Sequence, residues 1–169
     1  IKGETLKEMT KIKSEGYAAV VMSAVEDDPT GYGRIIRDES NDFMRIREQK
    51  DASEEEKAIK EINAGMYIIN GKLLKENLSK LSVNNAQREY YLTDVLEHIK
   101  NAGHRIGAYQ ADKMEIMGVN SRLQLSEAER IMRLDVNKMH MANGVTLIDT
   151  NSTYIDKNVK IGRDTIIYP

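Results

Sequence analysis

Few side chains in this sequence combine the residue type and the spacing that chemistry requires. The turn DDPTGYGRI carries Gly31-Tyr32-Gly33, where a missing side chain lets the backbone approach a ligand and donate an N–H group. The same glycines also serve as ordinary turn residues between strands. Glu48, on an extended segment, can accept hydrogen bonds from two sugar hydroxyls or simply face solvent. Asn63 in EINAG and Asn120 in GVNSR stand at expected strand ends, where open α/β sheets hold their ligands. An Asn oxygen can ligate a hard cation such as magnesium, but one neutral ligand does not hold it alone. Turn formation is the competing reading for both asparagines.

Other chemistries lack support. His98 and His104 are six residues apart, His140 has no partner nearby, and no HxxxH or HExxH pattern occurs, so the three read as surface histidines. There is no GxSxG elbow and no GxxxxGK[ST] loop, which leaves acyl-serine and P-loop chemistry without a motif. Cys is absent, excluding disulfides, thiolate zinc sites, iron-sulfur clusters and a Cys nucleophile, and matching a reducing cytosol. Lys plus Arg number 25 against 27 Asp plus Glu, so no overall field draws the chain to nucleic acid or anionic lipid. The longest apolar stretch, Tyr17 to Val25, falls far short of the roughly 20 residues that span a bilayer.

The elements that must position these residues follow from periodicity. At 169 residues with 40% hydrophobic and 31% charged, the chain is globular, one domain or a domain with a fragment of another. Leu6, Met9 and Ile12 mark an amphipathic helix over 5–14, stopped by Gly16. AAVVMSAV reads as a strand buried on both faces. GRIIR and FMRIRE, separated by DESND, read as a hairpin. Ser53 and Glu56 have capping-box spacing before one short helical turn. INAGMYII is a further strand, and Asn70-Gly71 a turn. KLLKENLSKL and YLTDVLEHIK read as helices, the second with Leu92, Val95, Leu96 and Ile99 on one face. GHRIGAYQA is a short strand, and a long helix from Ser121 ends at Asn143-Gly144. Such alternation predicts a three-layer α/β domain with the long helix as connector.

Beyond that helix Ile155, Ile161 and Ile167 recur every six residues, with Val159 and Thr165 four places after the first two. Six is the period of a β-helix whose aliphatic residue points to the axis. One coil cannot bury its own face, and the first residue is Ile1 rather than Met, so the expectation is a piece cut from a longer polypeptide.

In order and spacing, DDPTGYGRIIRD, IREQKDASEEEKAIKEINAG, NNAQREYYLTDVL, GVNSRLQLSEAERIM and NGVTLIDTNSTYID resemble the family of bacterial bifunctional N-acetylglucosamine-1-phosphate uridyltransferases and glucosamine-1-phosphate acetyltransferases. The resemblance runs from about Thr5 onward. It implies a Rossmann-like nucleotide-diphospho-sugar transferase domain of α/β class over 1–122, present as its second half. A linker helix over 123–143 would follow, and then over 144–169 the first coil of a left-handed parallel β-helix that carries the acetyltransferase. It further implies uridyl transfer from UTP to N-acetylglucosamine 1-phosphate, giving UDP-N-acetylglucosamine for envelope polymers, with Mg2+ required. Acetyl-CoA would be the co-substrate of the intact parent, a homotrimer in the cytoplasm, with neither nucleic acid nor membrane as partner.

Carried over by position, Gly33, Glu48 and Asn63 match contacts to the sugar nucleotide. Asn120 matches a magnesium ligand that also touches the nucleotide sugar, and Tyr91 and Thr93 match residues lining the sugar and phosphate pocket. The family's catalytic residues would lie upstream and downstream, so the fragment alone is expected to be inactive. Three departures stand out: Ala64 replaces a usual Thr, Arg47 an aliphatic residue, and Arg88 a Gly, where the chain either demands φ values that Arg resists or lets the side chain extend into solvent. The competing readings are a monofunctional uridyltransferase, a non-catalytic sugar-nucleotide-binding module and a purely structural assembly unit.

Overall fold

The apolar run read as a central strand forms β1 (Ala19–Val25), whose first six residues are buried. In the computed structural model, which describes residues 1–119 and 121–169, it pairs parallel with β5 (Ile106–Gln110) and antiparallel with β4 (Glu61–Ile69). The predicted hairpin is β2 (Arg34–Arg37) and β3 (Phe43–Arg47), antiparallel to each other. The sheet order is β3-β2-β4-β1-β5, so the hairpin forms one edge. One core cluster joins Val21, Ile35 and Phe43 to Val95, Leu96 and Ile99 of α4 (Asp94–Asn101). Another joins Val20 and Met22 to Met9 of α1 (Gly3–Ser14). The chain thus has the mixed α/β, Rossmann-like architecture expected of it.

Several boundaries move, each for a local reason. On α1 the buried face is Thr5 and Met9 while Leu6 is 47% exposed, because Thr5 donates its hydroxyl to Glu115 at 2.6 Å and turns the stripe by one residue. Asn70-Gly71 is a helix start instead of a turn: Asn70 Oδ1 accepts the N–H groups of Lys72 and Leu73, capping α3 (Gly71–Leu78). The helix read from Tyr91 begins only at Asp94, leaving Leu92 exposed. The Ser53–Glu56 capping box is present and opens the single turn α2 (Glu54–Lys57).

Arg37 of β2 and Glu61 of β4 join two strands by a bidentate pair, 2.7 Å on each arm, and Ser23 of β1 donates to the same carboxylate at 2.6 Å. Burial raises the Glu61 carboxyl, but the Arg37 and Ser23 hydrogen bonds together with the Arg37 charge hold it below its ordinary value. A lowered folded value stabilises above the unfolded glutamate pKa of about 4.3, and that contribution is lost as pH falls through the folded value. Thermal melts across pH 3 to 6 are expected to show a steeper acid loss for the wild type than for Glu61→Gln; equal slopes would assign the loss to other groups.

Residues 117–169 form a second compact unit, separate from Ile1–Ile116. Its helix α5 (Arg122–Ala142) starts at the Ser121 cap and ends at Asn143, with Gly144 at φ +93. The buried stripe is polar: Asn137 donates to the carbonyls of Thr150 and Thr153 at 2.9 and 3.0 Å, and His140 is 4% exposed. His140 is therefore no surface histidine; α5 is followed by β6 (Thr146–Leu147), which it contacts. His98 is half-buried and His104 exposed. Strand β6 pairs parallel with β7 (Ile166–Ile167), twenty residues later. Ile155, Ile161 and Ile167 are each half-buried, whereas Val159 and Thr165 are exposed. Among the described residues no helix is long and apolar enough to cross a membrane.

Candidate functional site

Strand register builds the site. Arg34 pairs with Arg47 on one side and with Ile62 on the other, so the preceding residue, Gly33, falls between Glu48 and Asn63. The carbonyl of Gly33 accepts the Asn63 N–H at 2.8 Å. A Cβ at Gly33 would lie 3.0 Å from Ile46 Cγ2 and 3.3 and 3.4 Å from the two Glu48 oxygens. The glycine is needed because protein fills the space a side chain would take. Gly31 is different, with open space around it but φ +89, the conformation of a turn glycine. Three residues far apart in sequence thus form one row across β3, β2 and β4.

Each member of the row is held from outside it. Thr93 occupies the N-cap position of α4 without capping it; its hydroxyl donates instead to Glu48 Oε1 at 3.1 Å. That choice forgoes about 1 kcal/mol of helix capping to orient the carboxylate, which retains acceptor capacity for two further donors. Asn63 is the third residue of β4 and not a strand end. The strand runs on through a bulge, where Gly65 has φ +74 and the pairing with β1 shifts. Asn63 Oδ1 accepts the Gly65 N–H at 3.0 Å, and the Tyr67 hydroxyl lies 2.8 Å from Asn63 Nδ2 and 3.1 Å from Oδ1. Bulges re-aim side chains in this manner. Burial, above all, keeps the Tyr67 hydroxyl protonated, with the Glu48 charge adding to it against the Asn63 hydrogen bond.

Tyr91 belongs to the same region. A polar cavity of about 80 Å³ is lined by Arg47, Glu48, Asp51, Asn85, Tyr91 and Asp94. Burial, then Glu97, raises the Asp94 carboxyl, and burial foremost raises the Tyr91 hydroxyl. The structure therefore brings together Gly33, Glu48, Asn63, Thr93 and Tyr91, while Asn120 lies outside the described residues.

Sequence reasoning missed four participants. Asp51 and Gln87 sit in polar runs that hide them, and Tyr67 reads as one more apolar strand residue. Arg34 is 1% exposed and directs its guanidinium at the carbonyls of Tyr32 and Lys57 and at Gln49 Oε1. It thereby ties the residues next to Gly33 and Glu48. Burial lowers its pKa, and the charge of Asp28 offsets part of that. No residue type or spacing singles out any of the four.

Residues 3–131 match the family model described as nucleotidyl transferase. The chain belongs to this nucleotidyl transferase family. Among curated relatives it is similar to the bifunctional protein GlmU of Caldanaerobacter subterraneus subsp. tengcongensis, 54% identical over 170 residues. The proteins of the same name from Clostridioides difficile and Clostridium kluyveri are 54% and 53% identical. In each case all of this chain is covered but 37% of the relative, so the chain spans little over a third of their length. Among solved structures, a Bacillus anthracis protein assigned as a glucose-1-phosphate thymidylyltransferase, crystallised with sucrose, aligns at TM-score 0.56 and 17% identity. That alignment covers 78% of this chain and 50% of the other, and it shows shared fold alone.

The departures noted in this nucleotidyl transferase chain have local accounts. Ala64 sits in the β4 bulge, packed on the Val20 and Met22 cluster. Arg47 lies 3.6 Å from Glu56, which also takes Arg45 at 3.2 Å. Arg88 is exposed with φ 54, the left-handed region that disfavours a Cβ by roughly 1–2 kcal/mol. Arg88→Gly is expected to raise stability by about 0.5–1 kcal/mol after the greater freedom of glycine in the unfolded chain is counted. Urea unfolding checks this, and an unchanged or lowered midpoint would show that the loop carries no strain there.

For a magnesium ion the donor set is thin. Among the described residues no group of three or more His, Asp or Glu is arranged to hold a metal.

Proposed function

We propose that this chain forms the sugar-holding part of a uridyltransferase that moves UMP from UTP to N-acetylglucosamine 1-phosphate. A phosphate oxygen of the sugar phosphate forms a bond to the α-phosphorus of UTP as the bond to pyrophosphate breaks, releasing pyrophosphate and UDP-N-acetylglucosamine. The observation that carries this reading is the row Glu48–Gly33–Asn63 with Thr93 behind it, in a chain 54% identical throughout to proteins named bifunctional. A fixed carboxylate beside an amide side chain suits neutral polyols: Glu48 accepts sugar hydroxyls, and Asn63 offers an amide N–H. Holding the sugar in one pose converts an encounter of two anions into an oriented displacement.

Within the same reading the domain boundaries are 1–122, 123–143 and 144–169. The last of these opens a left-handed β-helix, supported by the six-residue repeat and the parallel β6–β7 pair. The longer protein would acetylate glucosamine 1-phosphate with acetyl-CoA, assemble as a trimer and work in the cytoplasm. Mg2+ would be an ion that Asn120 helps to ligate.

The test supplies the polypeptide that contains this chain with UTP, Mg2+ and N-acetylglucosamine 1-phosphate. Pyrophosphate release, dependent on the sugar phosphate, is expected. Its absence would sink the uridyltransferase reading, and binding of UDP-N-acetylglucosamine without turnover would leave a binding module.

A further inference from the structure

Asp51, in the turn after edge strand β3, commits both carboxylate oxygens to one distant loop. Its Oδ1 accepts the Ala86 backbone N–H at 2.8 Å, and its Oδ2 accepts the Tyr91 hydroxyl at 3.1 Å. Gln87 Nε2 donates to that same hydroxyl at 2.9 Å, so Tyr91 is fixed as acceptor and donor at once. Between Ser82 and Leu92 the chain forms neither helix nor strand, and its other hydrogen bonds are internal or run to the first turn of α4. Asn85 turns the loop on itself, receiving the N–H groups of Gln87 and Glu89 and donating to the Glu89 carbonyl. Two hydrogen bonds on Asp51 tie this stretch to the sheet edge, and the Thr93 hydroxyl on Glu48 at 3.1 Å adds a third just beyond it. The two on Asp51 are charge-assisted, the stronger class, and they close loops of 35 and 40 residues.

We propose that Asp51 is a positioning residue that anchors the 84–93 loop to the sheet edge and so sets how tightly the site holds the sugar half of its ligand. The proposal rests on the uridyltransferase reading for the identity of that ligand. With both oxygens engaged by the loop, Asp51 acts through Tyr91 and through the approach that this loop gives Thr93 to Glu48.

Asp51→Asn keeps the size but loses the charge and one of the two acceptors. In the polypeptide containing this chain, the KM for N-acetylglucosamine 1-phosphate is expected to rise about tenfold or more, from loss of charged hydrogen bonds, while kcat and the KM for UTP hold. Affinity for UDP-N-acetylglucosamine should fall in parallel, and the Ala86 amide should exchange about tenfold faster. Tyr91→Phe removes only the hydroxyl, and its effect combined with Asp51→Asn should be less than additive. An unchanged sugar-phosphate KM would overturn the proposal, as would equal losses for both substrates accompanied by a lowered melting temperature. If the wild type neither turns over nor binds the sugar nucleotide, the functional reading fails. Exchange at Ala86 then still decides whether Asp51 anchors the loop.

Discussion

Glu48→Gln is expected to weaken binding of UDP-N-acetylglucosamine by about 10- to 100-fold, the loss that follows when hydrogen bonds worth about 1.5–3 kcal/mol to a charged group become neutral ones. Glutamine preserves the shape, so it leaves the packing against Gly33 intact. Its amide oxygen can still accept the Thr93 hydroxyl, which now lies 3.1 Å from Oε1. Stability should therefore change by no more than about 0.5 kcal/mol, as at an ordinary part-exposed position. Calorimetric titration of the sugar nucleotide, read beside a thermal melt, separates the two quantities. Loss of affinity at constant melting temperature assigns the carboxylate to the ligand. Full affinity in the glutamine variant would mean that the row across β3, β2 and β4 holds something other than a sugar, and the proposed function would lose its main support.

That row shows which parts of the molecule can be read from sequence. Strand β1, the β2–β3 hairpin and the buried face Val95, Leu96 and Ile99 of α4 follow from local patterning. The adjacency of Gly33, Glu48 and Asn63 does not, because it depends on two strand registers and a bulge that only tertiary pairing fixes. Glu48 and Asn63 stood out by residue type alone, Tyr91 and Thr93 came to notice only through resemblance to a family, and no local signal says that Thr93 gives up its cap for Glu48.

Where local rules fail, a polar partner has overridden them. Leu6 is exposed because Thr5 finds Glu115, and Asn70 caps a helix because Gly71 continues as one. On α5, Leu123, Leu125 and Met132 are 82%, 56% and 63% exposed while Asn137 and His140 are buried, the reverse of what an apolar stripe predicts. Asn137 Nδ2 satisfies two carbonyls there, whereas its Oδ1 and His140 Nε2 are buried with no hydrogen-bond partner among the described residues. Asp51 was invisible for a simpler reason: it stands in the charged run REQKDASEEE, where one functional carboxylate looks like its solvated neighbours.

The two glycines of the GYG turn should respond to the same substitution in different ways. Gly33→Ala is expected to destabilise the fold by about 1–3 kcal/mol, the range for inserting a carbon into a filled site, since the new Cβ would meet Ile46 Cγ2 at 3.0 Å. The added methyl also stands 3.3 and 3.4 Å from the Glu48 oxygens, so the relief available to it is to push the carboxylate off its line with Thr93. Sugar-nucleotide affinity should fall together with stability. Gly31→Ala meets nothing within 4 Å but must adopt φ +89, and its cost of roughly 1–2 kcal/mol is conformational and remote from Glu48. Its affinity should stay at the wild-type level, and Gly31→Asn, which tolerates the left-handed region better, should recover part of the stability. Unfolding in urea and titration of UDP-N-acetylglucosamine on the variants give the comparison. If Gly33→Ala binds as tightly as wild type while losing stability, Ile46 has moved instead of Glu48, and the glycine serves packing of the hairpin rather than the aim of the carboxylate.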